Sequence, residues 1–153
     1  MLVNEIVSGG QTGADRAALD WALENRIPHG GWCPAGRLAE DGPIPDRYLL
    51  TETPTENYAL RTEWNVRDSD GTVIFSIAPQ LKGGSALTLD LAKKLKRPCL
   101  HLSQLKSEAP DRELINFIDS SFIQRLNVAG PRESTEPDIA IFVREVLDAA
   151  FGK

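Results

Sequence analysis

Soft metal ligands are scarce in this chain: two cysteines, two histidines and one methionine in 153 residues. Cys33 and Cys99 stand far apart, and no Cys/His group has the spacing of a zinc site. The same scarcity gives no disulfide framework, so both cysteines read as reduced thiols in a cytoplasmic protein. Positive charge is also short. Seventeen Lys and Arg face 22 Asp and Glu, for a net charge of −5 and a pI near 5.1. A general nucleic-acid binder needs a basic face, so that class is disfavoured. No apolar run is long enough to cross a bilayer, and the N-terminus has no basic segment followed by a long apolar one, so no membrane association is expected. Internal repeats, low-complexity tracts and linkers are missing too, and the length suits a single domain over 1–153.

What is present is the composition of an ordinary folded core, 41% hydrophobic and 25% charged. A short apolar run, Leu2 to Val7, leads into Ser8-Gly9-Gly10-Gln11-Thr12-Gly13-Ala14-Asp15. Behind it, Gly13 to Asn25 has helical spacing, with Ala14, Ala18, Trp21 and Ala22 on one face. Strand, glycine turn and helix in that order direct backbone N–H groups and a helix dipole at an anion. The loop is not a Walker P-loop, because it lacks the Lys-Ser/Thr pair, and its glycine spacing differs from the dinucleotide fingerprint.

Between Pro28 and Pro45 lie four glycines and four prolines. This is an irregular loop with a short strand at 31–33, and loops so long in compact domains usually serve function. It carries Arg37, Glu40 and Asp41. A short strand at 48–52 follows. Thr53-Pro54-Thr55-Glu56 reads as a capping box opening a helix from Pro54 to Asp68, with Tyr58, Ala59, Leu60 and Trp64 inward. Residues 72–77 form the clearest strand, apolar on both faces as in a covered parallel sheet. A helix from Ser85 to Lys96 stacks Leu87, Leu91 and Leu95. A strand at 97–102 precedes a helix from Asp111 to Arg125 with Leu114, Ile118 and Phe122 four apart. A last strand at 126–130 leads to a helix opening at 135–138. Alternation of strands and helices predicts an α/β fold: a Rossmann-like three-layer sandwich, its sheet mostly parallel, with helices on both faces.

In such sheets ligands bind beyond the carboxyl ends of the strands. The glycine loops at 9–13, 83–84 and 130 all follow strands, so they should open on one edge. Gly9, Gly10, Gln11, Thr12, Gly13 and Asp15 are therefore candidate ligand contacts. So are Lys82, Gly83, Gly84, Ser85 and Thr88 at the second helix start, and Gly130, Arg132, Glu133 and Ser134 after the last strand. Arg37 offers an anion a further charge. Each group also has a plainer reading: a tight turn, a Ser85 N-cap, an exposed ion pair. Glu40 with Asp41 suits an acid/base pair, a contact to a ribose or pterin or, more simply, a solvated turn, and Asp68-Ser69-Asp70 belongs at the far end of the sheet. No nucleophile set or metal set stands out, so no catalytic residue is assigned.

Together these motifs resemble the molybdenum cofactor carrier family, a Rossmann-like group related to lysine-decarboxylase-like phosphoribohydrolases and nucleotide-sensing domains. The resemblance rests on Ser8 to Asp15 with Ala17 to Ala22, Cys33 to Arg37 with Ala39 to Gly42, Arg61 to Glu63 with Asn65-Val66, Asp68 to Thr72, Gly83 to Ser85 with Thr88, and Asn127 to Ser134. Ala35 stands where the family pattern carries lysine. The resemblance implies a phosphorylated, nucleotide-like ligand, with the molybdenum cofactor (molybdopterin) as candidate, held and protected by a homo-oligomer, dimer or tetramer. Asn65 and Glu133 are the residues it offers for a heterocycle. The related hydrolases imply an alternative, N-glycosidic cleavage of nucleotides using Glu40, Asp41 or Asp90; the stretch Lys82 to Asp90 lacks their later Gly-Thr. A nucleotide-ligand sensor is the other alternative.

Overall fold

The computed structural model describes residues 3–152; Leu2 of the expected first strand lies outside them. In chain order the elements are β1 (Glu5–Val7), α1 (Ala14–Glu24), β2 (His29–Gly30), β3 (Trp32–Cys33), β4 (Leu38–Ala39), β5 (Gly42–Pro43), β6 (Thr51–Glu52), α2 (Tyr58–Arg67), β7 (Gly71–Ser76), α3 (Gly83–Lys94), β8 (Cys99–Ser103), α4 (Pro110–Ser120), β9 (Arg125–Ala129) and α5 (Ile139–Phe151). Five strands form one sheet in the order β2-β1-β9-β7-β8, every pairing parallel. Ile6 sits opposite His29 on one side and Leu126 on the other; Val73 lies between Leu100 and Val128. The chain builds outward from β1 to β2, crosses to β7 and β8, then returns to insert β9 between β1 and β7. Strand order reverses there, which is where doubly wound sheets open a crevice.

All six residues of β7 are buried, as its unbroken run of apolar and small residues requires. Helices α1, α4 and α5 pack on one another and on the sheet around an apolar core that includes Ile6, Trp21, Phe75, Leu114, Leu126 and Val143. The second helical layer, α2 with α3, is different. Its buried residues are Arg61, Asn65 and Val66 on α2, and Ser85, Thr88 and Ala92 on α3. Tyr58, Ala59, Leu60 and Trp64, expected inward, are only half-buried, and so are Leu87, Leu91 and Leu95. Apolar spacing picked the wrong stripe because the inner face of this layer is polar.

The start of α2 also differs from expectation. Thr53 turns its hydroxyl to the Thr55 carbonyl at 2.9 Å instead of capping. The cap is Asn57, whose Oδ1 accepts the Ala59 N–H at 2.8 Å. Asn57→Ala is expected to lower stability by about 1 kcal/mol, read from denaturant midpoints. At the other end of the chain α4 stops at Ser120. Phe122 turns back in a left-handed conformation (φ 53°) with 79% of its surface exposed, and Ile123 takes the buried place.

The proline- and glycine-rich stretch is more ordered than expected. β2 edges the main sheet, β3 pairs with β6, and β4 with β5 forms a small antiparallel hairpin. Beneath it Leu19, Cys33, Ile44 and Tyr48 make a second, small core. Arg37 ties this loop together: its guanidinium donates to the carbonyls of Ile44 at 3.1 Å and of Pro45 and Tyr48 at 2.8 Å each. Both cysteines are free, and among the described residues no helix is long and apolar enough to cross a membrane.

Candidate functional site

A cleft of about 480 Å³ opens at the strand-order reversal. Its walls are the ends of β1 and β9, the start of α3 and one face of α2. Of the residues expected from sequence, it brings together Gly9, Gln11, Asp15, Lys82, Gly83, Gly84, Ser85, Thr88, Gly130, Arg132 and Ser134. Gly10, Thr12, Gly13, Glu133 and Arg37 do not line it. Arg61, Thr62, Asn65 and Asn127 line it as well; as site residues, Arg61 and Asn127 were not anticipated. Their signal, two polar residues on a helix face and in a central strand, is visible only once that face is known to be buried.

The two helix starts in the cleft differ in what they leave free. Around α1, whose N-cap Gly13 supplies no side-chain cap, four backbone donors are engaged within the chain. The N–H of Gln11 goes to Asp15 Oδ2 (3.2 Å) and that of Thr12 to Gln11 Oε1 (3.0 Å). The N–H of Ala14 goes to the Pro131 carbonyl (3.2 Å) and that of Arg16 to the Gln11 carbonyl (3.1 Å). The glycines there serve close packing. A Cβ on Gly10 would meet Leu50 and Ile44 at 2.6 and 2.9 Å, and one on Gly9 would meet the Arg61 guanidinium at 2.5 Å.

At α3 the Ser85 and Ala86 N–H groups reach the Lys82 carbonyl at 3.2 and 3.3 Å, and the two glycines before them differ from those of α1 in having open space around them. Lys82 is the N-cap residue and supplies no side-chain cap. The first-turn N–H groups of Gly83 and Gly84 are therefore among the orphan donors every helix start leaves, and a Cβ on either glycine would meet nothing within 4 Å. The helix begins two residues before the Ser85 expected to cap it, and Ser85 is buried in the first turn instead. Thr88 donates its hydroxyl to the Gly84 carbonyl at 2.9 Å, so it braces the turn.

Charge follows the same division. Arg61 is 8% exposed, donates to the Gly9 carbonyl at 2.8 Å and lies over the Tyr58 ring. Among the described residues it forms no ion pair with a carboxylate, and the Asp15 carboxylate in the same cleft interacts with its charge at longer range. Arg132 also lies over the Tyr58 ring, 5.7 Å from its centroid, and approaches Glu40 at 4.0 Å, while Lys82 is exposed. The one carboxylate in the lining is Asp15. Burial raises its pKa from 3.8 to about 6, against the lowering pull of Arg61, the Gln11 N–H, Arg16 and Arg132.

The other acids read as acid/base candidates are engaged elsewhere. Glu40 accepts from Thr12 Oγ1 and from the Ser134 hydroxyl and N–H, which keeps its pKa below the ordinary carboxylate value. It thereby ties the β4–β5 hairpin to the loops after β1 and β9. Asp41 is paired with Arg16, whose hydrogen bond lowers the Asp41 pKa. Asp90 is exposed on α3 outside the lining. Asn65 is committed too: its Oδ1 accepts the Trp32 N–H at 2.7 Å and its Nδ2 donates to the Trp32 carbonyl at 2.9 Å. Asp70 caps the N–H groups of Gln124 and Arg125, and Asp68 accepts from the Trp32 indole at 2.9 Å. His101 Nε2 lies 2.7 Å from Ser76 Oγ, but that serine is buried and donates to the Ala78 carbonyl, so it closes the end of β7. Among the described residues no group of three His, Cys, Asp or Glu could hold a metal ion.

A parallel sheet with a cationic, glycine-edged cleft at its switch point defines a Rossmann-like α/β protein. The sequence pattern of the circularly permutated YpsA SLOG family matches residues 6–151, and the chain belongs to that family. It is also similar to the crystal structure, at 1.45 Å resolution, of a protein named "Putative molybdenum carrier protein" from Syntrophus aciditrophicus SB. The two are 50% identical and superpose with a TM-score of 0.94, over 97% of this chain and 95% of that one. No curated protein matches.

Proposed function

We propose that the cleft binds a phosphorylated, nucleotide-like small molecule, with the molybdenum cofactor as candidate, and that the protein holds this ligand as a carrier. The observation that carries the reading is the uncapped start of α3. Two first-turn N–H groups stand beside Lys82 and Ser85, and open space lies where side chains of Gly83 and Gly84 would otherwise be. Arg61 and Arg132 add charge across the cleft. The name of the similar protein from Syntrophus aciditrophicus SB supports a carrier role, and the engaged state of Glu40 and Asp41 favours holding over hydrolysis.

The residues fit such a cofactor. Its terminal phosphate suits Lys82, Gly83, Gly84 and Ser85, its ring suits the polar floor at Gln11, Asp15 and Asn127, and a volume near 480 Å³ is in the range of small-molecule sites. No cysteine or histidine lines the cleft, so this chain would contact the organic part of the cofactor. A homo-oligomer of two or four chains belongs to the same proposal; Leu49, Leu105 and Phe122, at least 70% exposed each, are apolar surface for a second copy to cover.

The test is Gly84→Ala. A methyl there meets no protein atom, so the variant should fold and gain about 0.5–1 kcal/mol from reduced chain entropy. It should also bind ribose 5-phosphate and GMP about tenfold or more weakly, because the methyl occupies the anion's approach. Unchanged affinity, measured by calorimetric titration beside a thermal melt, overturns the reading.

A further inference from the structure

The floor of the cleft holds a donor and an acceptor that have no partner among the described residues. Gln11 is 5% exposed. Its Oε1 accepts two backbone N–H groups, from Thr12 at 3.0 Å and from Glu40 at 2.9 Å. Those two bonds fix which end of the amide is which. Nε2 is then left buried with both N–H groups unpartnered, an arrangement that buried polar groups in folded proteins seldom keep without an incoming acceptor. Asp15 is joined to the same residue. It is 7% exposed, its Oδ2 accepts the Gln11 backbone N–H at 3.2 Å, and it forms no ion pair among the described residues. Its second oxygen has no hydrogen-bond partner among the described residues. An acceptor and a donor therefore belong to residues four apart in sequence, Gln11 in the loop after β1 and Asp15 in the first turn of α1, both in the cleft lining.

We infer that Asp15 and Gln11 read the lactam edge, –NH–C(=O)–, of a phosphorylated heterocycle: the Asp15 carboxylate accepts the ring N–H and Gln11 Nε2 donates to the adjacent carbonyl oxygen. This rests on the function proposed above and names the ligand's ring chemistry. Guanine, hypoxanthine and pterins carry that edge. Adenine presents the opposite order, a ring-nitrogen lone pair beside an amine, and would set its lone pair against the carboxylate. The start of α1 is then the ring-reading end of the cleft and the start of α3 the phosphate end. Asn65, with both ends of its amide held by Trp32, takes no part. A buried carboxylate whose protonation burial favours is also well served by a ligand N–H, which restores the solvation its ionised form lacks.

The experiment is calorimetric titration of the full chain at pH 7.5 with ribose 5-phosphate, AMP, GMP, N1-methyl-GMP and a pterin monophosphate. GMP, the pterin phosphate or both should bind about tenfold or more tightly than AMP, since a site built to pair a polar edge rejects analogues that leave it unpaired. Whichever of the two binds more tightly identifies the source of the edge. If GMP is a ligand, N1-methylation should remove its advantage, a test that needs no variant protein. In Asp15→Asn the side-chain amide presents N–H in place of a carboxylate oxygen, and the lactam preference should be lost or inverted. AMP binding as well as both lactam ligands, N1-methyl-GMP matching a tight GMP, or a preference unchanged in Asp15→Asn overturns the inference. If ribose 5-phosphate binds and no heterocycle adds affinity, the ring assignment falls while the phosphate site stands. If ribose 5-phosphate also fails to bind, both fall.

Discussion

Asp15→Asn is expected to make the ligand-free protein more stable at neutral pH, by up to about 3 kcal/mol, while weakening its hold on a ligand. In the fold, burial raises the Asp15 pKa from 3.8 to about 6. Because the folded state holds this proton more tightly than the unfolded chain, the folded state binds more protons between those values. Stability contributed by the group is therefore greatest below pH 4, falls as pH rises through 6, and is flat above. The gap corresponds to about 3 kcal/mol. Asparagine carries no charge to desolvate and keeps an oxygen for the Gln11 N–H. Denaturant unfolding of both proteins from pH 4 to pH 8 should give curves that nearly meet at the acid end and separate through pH 5–6, the variant lying above. A variant no more stable than wild type at pH 7 would mean that Arg61, Arg16 and Arg132 already compensate the charge. A gain in stability with loss of binding is the pattern of a residue kept for its site.

Gly13→Ala should do the opposite and do it severely. Gly13 lies at φ +83°, and a Cβ there would stand 2.5 Å from the Pro131 carbonyl and 2.8 Å from the Glu133 backbone nitrogen. Both obstacles are main chain, so neither can swing aside. The left-handed conformation costs about 1–2 kcal/mol for a residue with a side chain, and forced overpacking costs about 1–3 more. A loss of about 3 kcal/mol or more follows, visible as a fall in melting temperature of several degrees. The same contact holds the loop after β1 against the loop after β9, through the Ala14 N–H to Pro131 bond and the Glu133 N–H to Thr12 Oγ1 bond at 3.1 Å. The variant should therefore lose cleft geometry as well as stability. Gly84→Ala, one helix start away, should lose only binding. The contrast separates glycines that pack from glycines that leave room.

That contrast also marks how far the sequence was legible. β7 and α5 follow from their apolar patterns, and the convergence of the loops after β1, β7 and β9 follows from topology alone. The polar inner face of α2 does not, because Arg61 and Asn65 lie on a different stripe of the helix from the apolar Leu60 and Trp64, and only tertiary packing decides which turns inward. Glycine itself was ambiguous. Gly9-Gly10-Gln11-Thr12-Gly13 looks more like an anion loop than Lys82-Gly83-Gly84-Ser85 does. Yet the N–H groups of Gln11 and Thr12 are satisfied by the side chains of Asp15 and Gln11, contacts that no spacing rule reveals. Arg37 misleads in the same way: its charge suits an anion, but the carbonyls of Ile44, Pro45, Tyr48 and Leu50 occupy it. The Thr53 capping box is displaced by Asn57 because Thr53 and Thr55 are bonded to the backbone at Cys33 and Ala35 instead.

The most direct test is a titration of isotopically labelled protein with ribose 5-phosphate, followed at the backbone amides of Gly83, Gly84, Gln11 and Thr12. The amides of Gly83 and Gly84 should move first and furthest, with Gln11 and Thr12 keeping their internal hydrogen bonds and shifting little. Shifts confined to Gln11 and Thr12, with Gly83 and Gly84 unmoved at saturation, would contradict a phosphate at the start of α3.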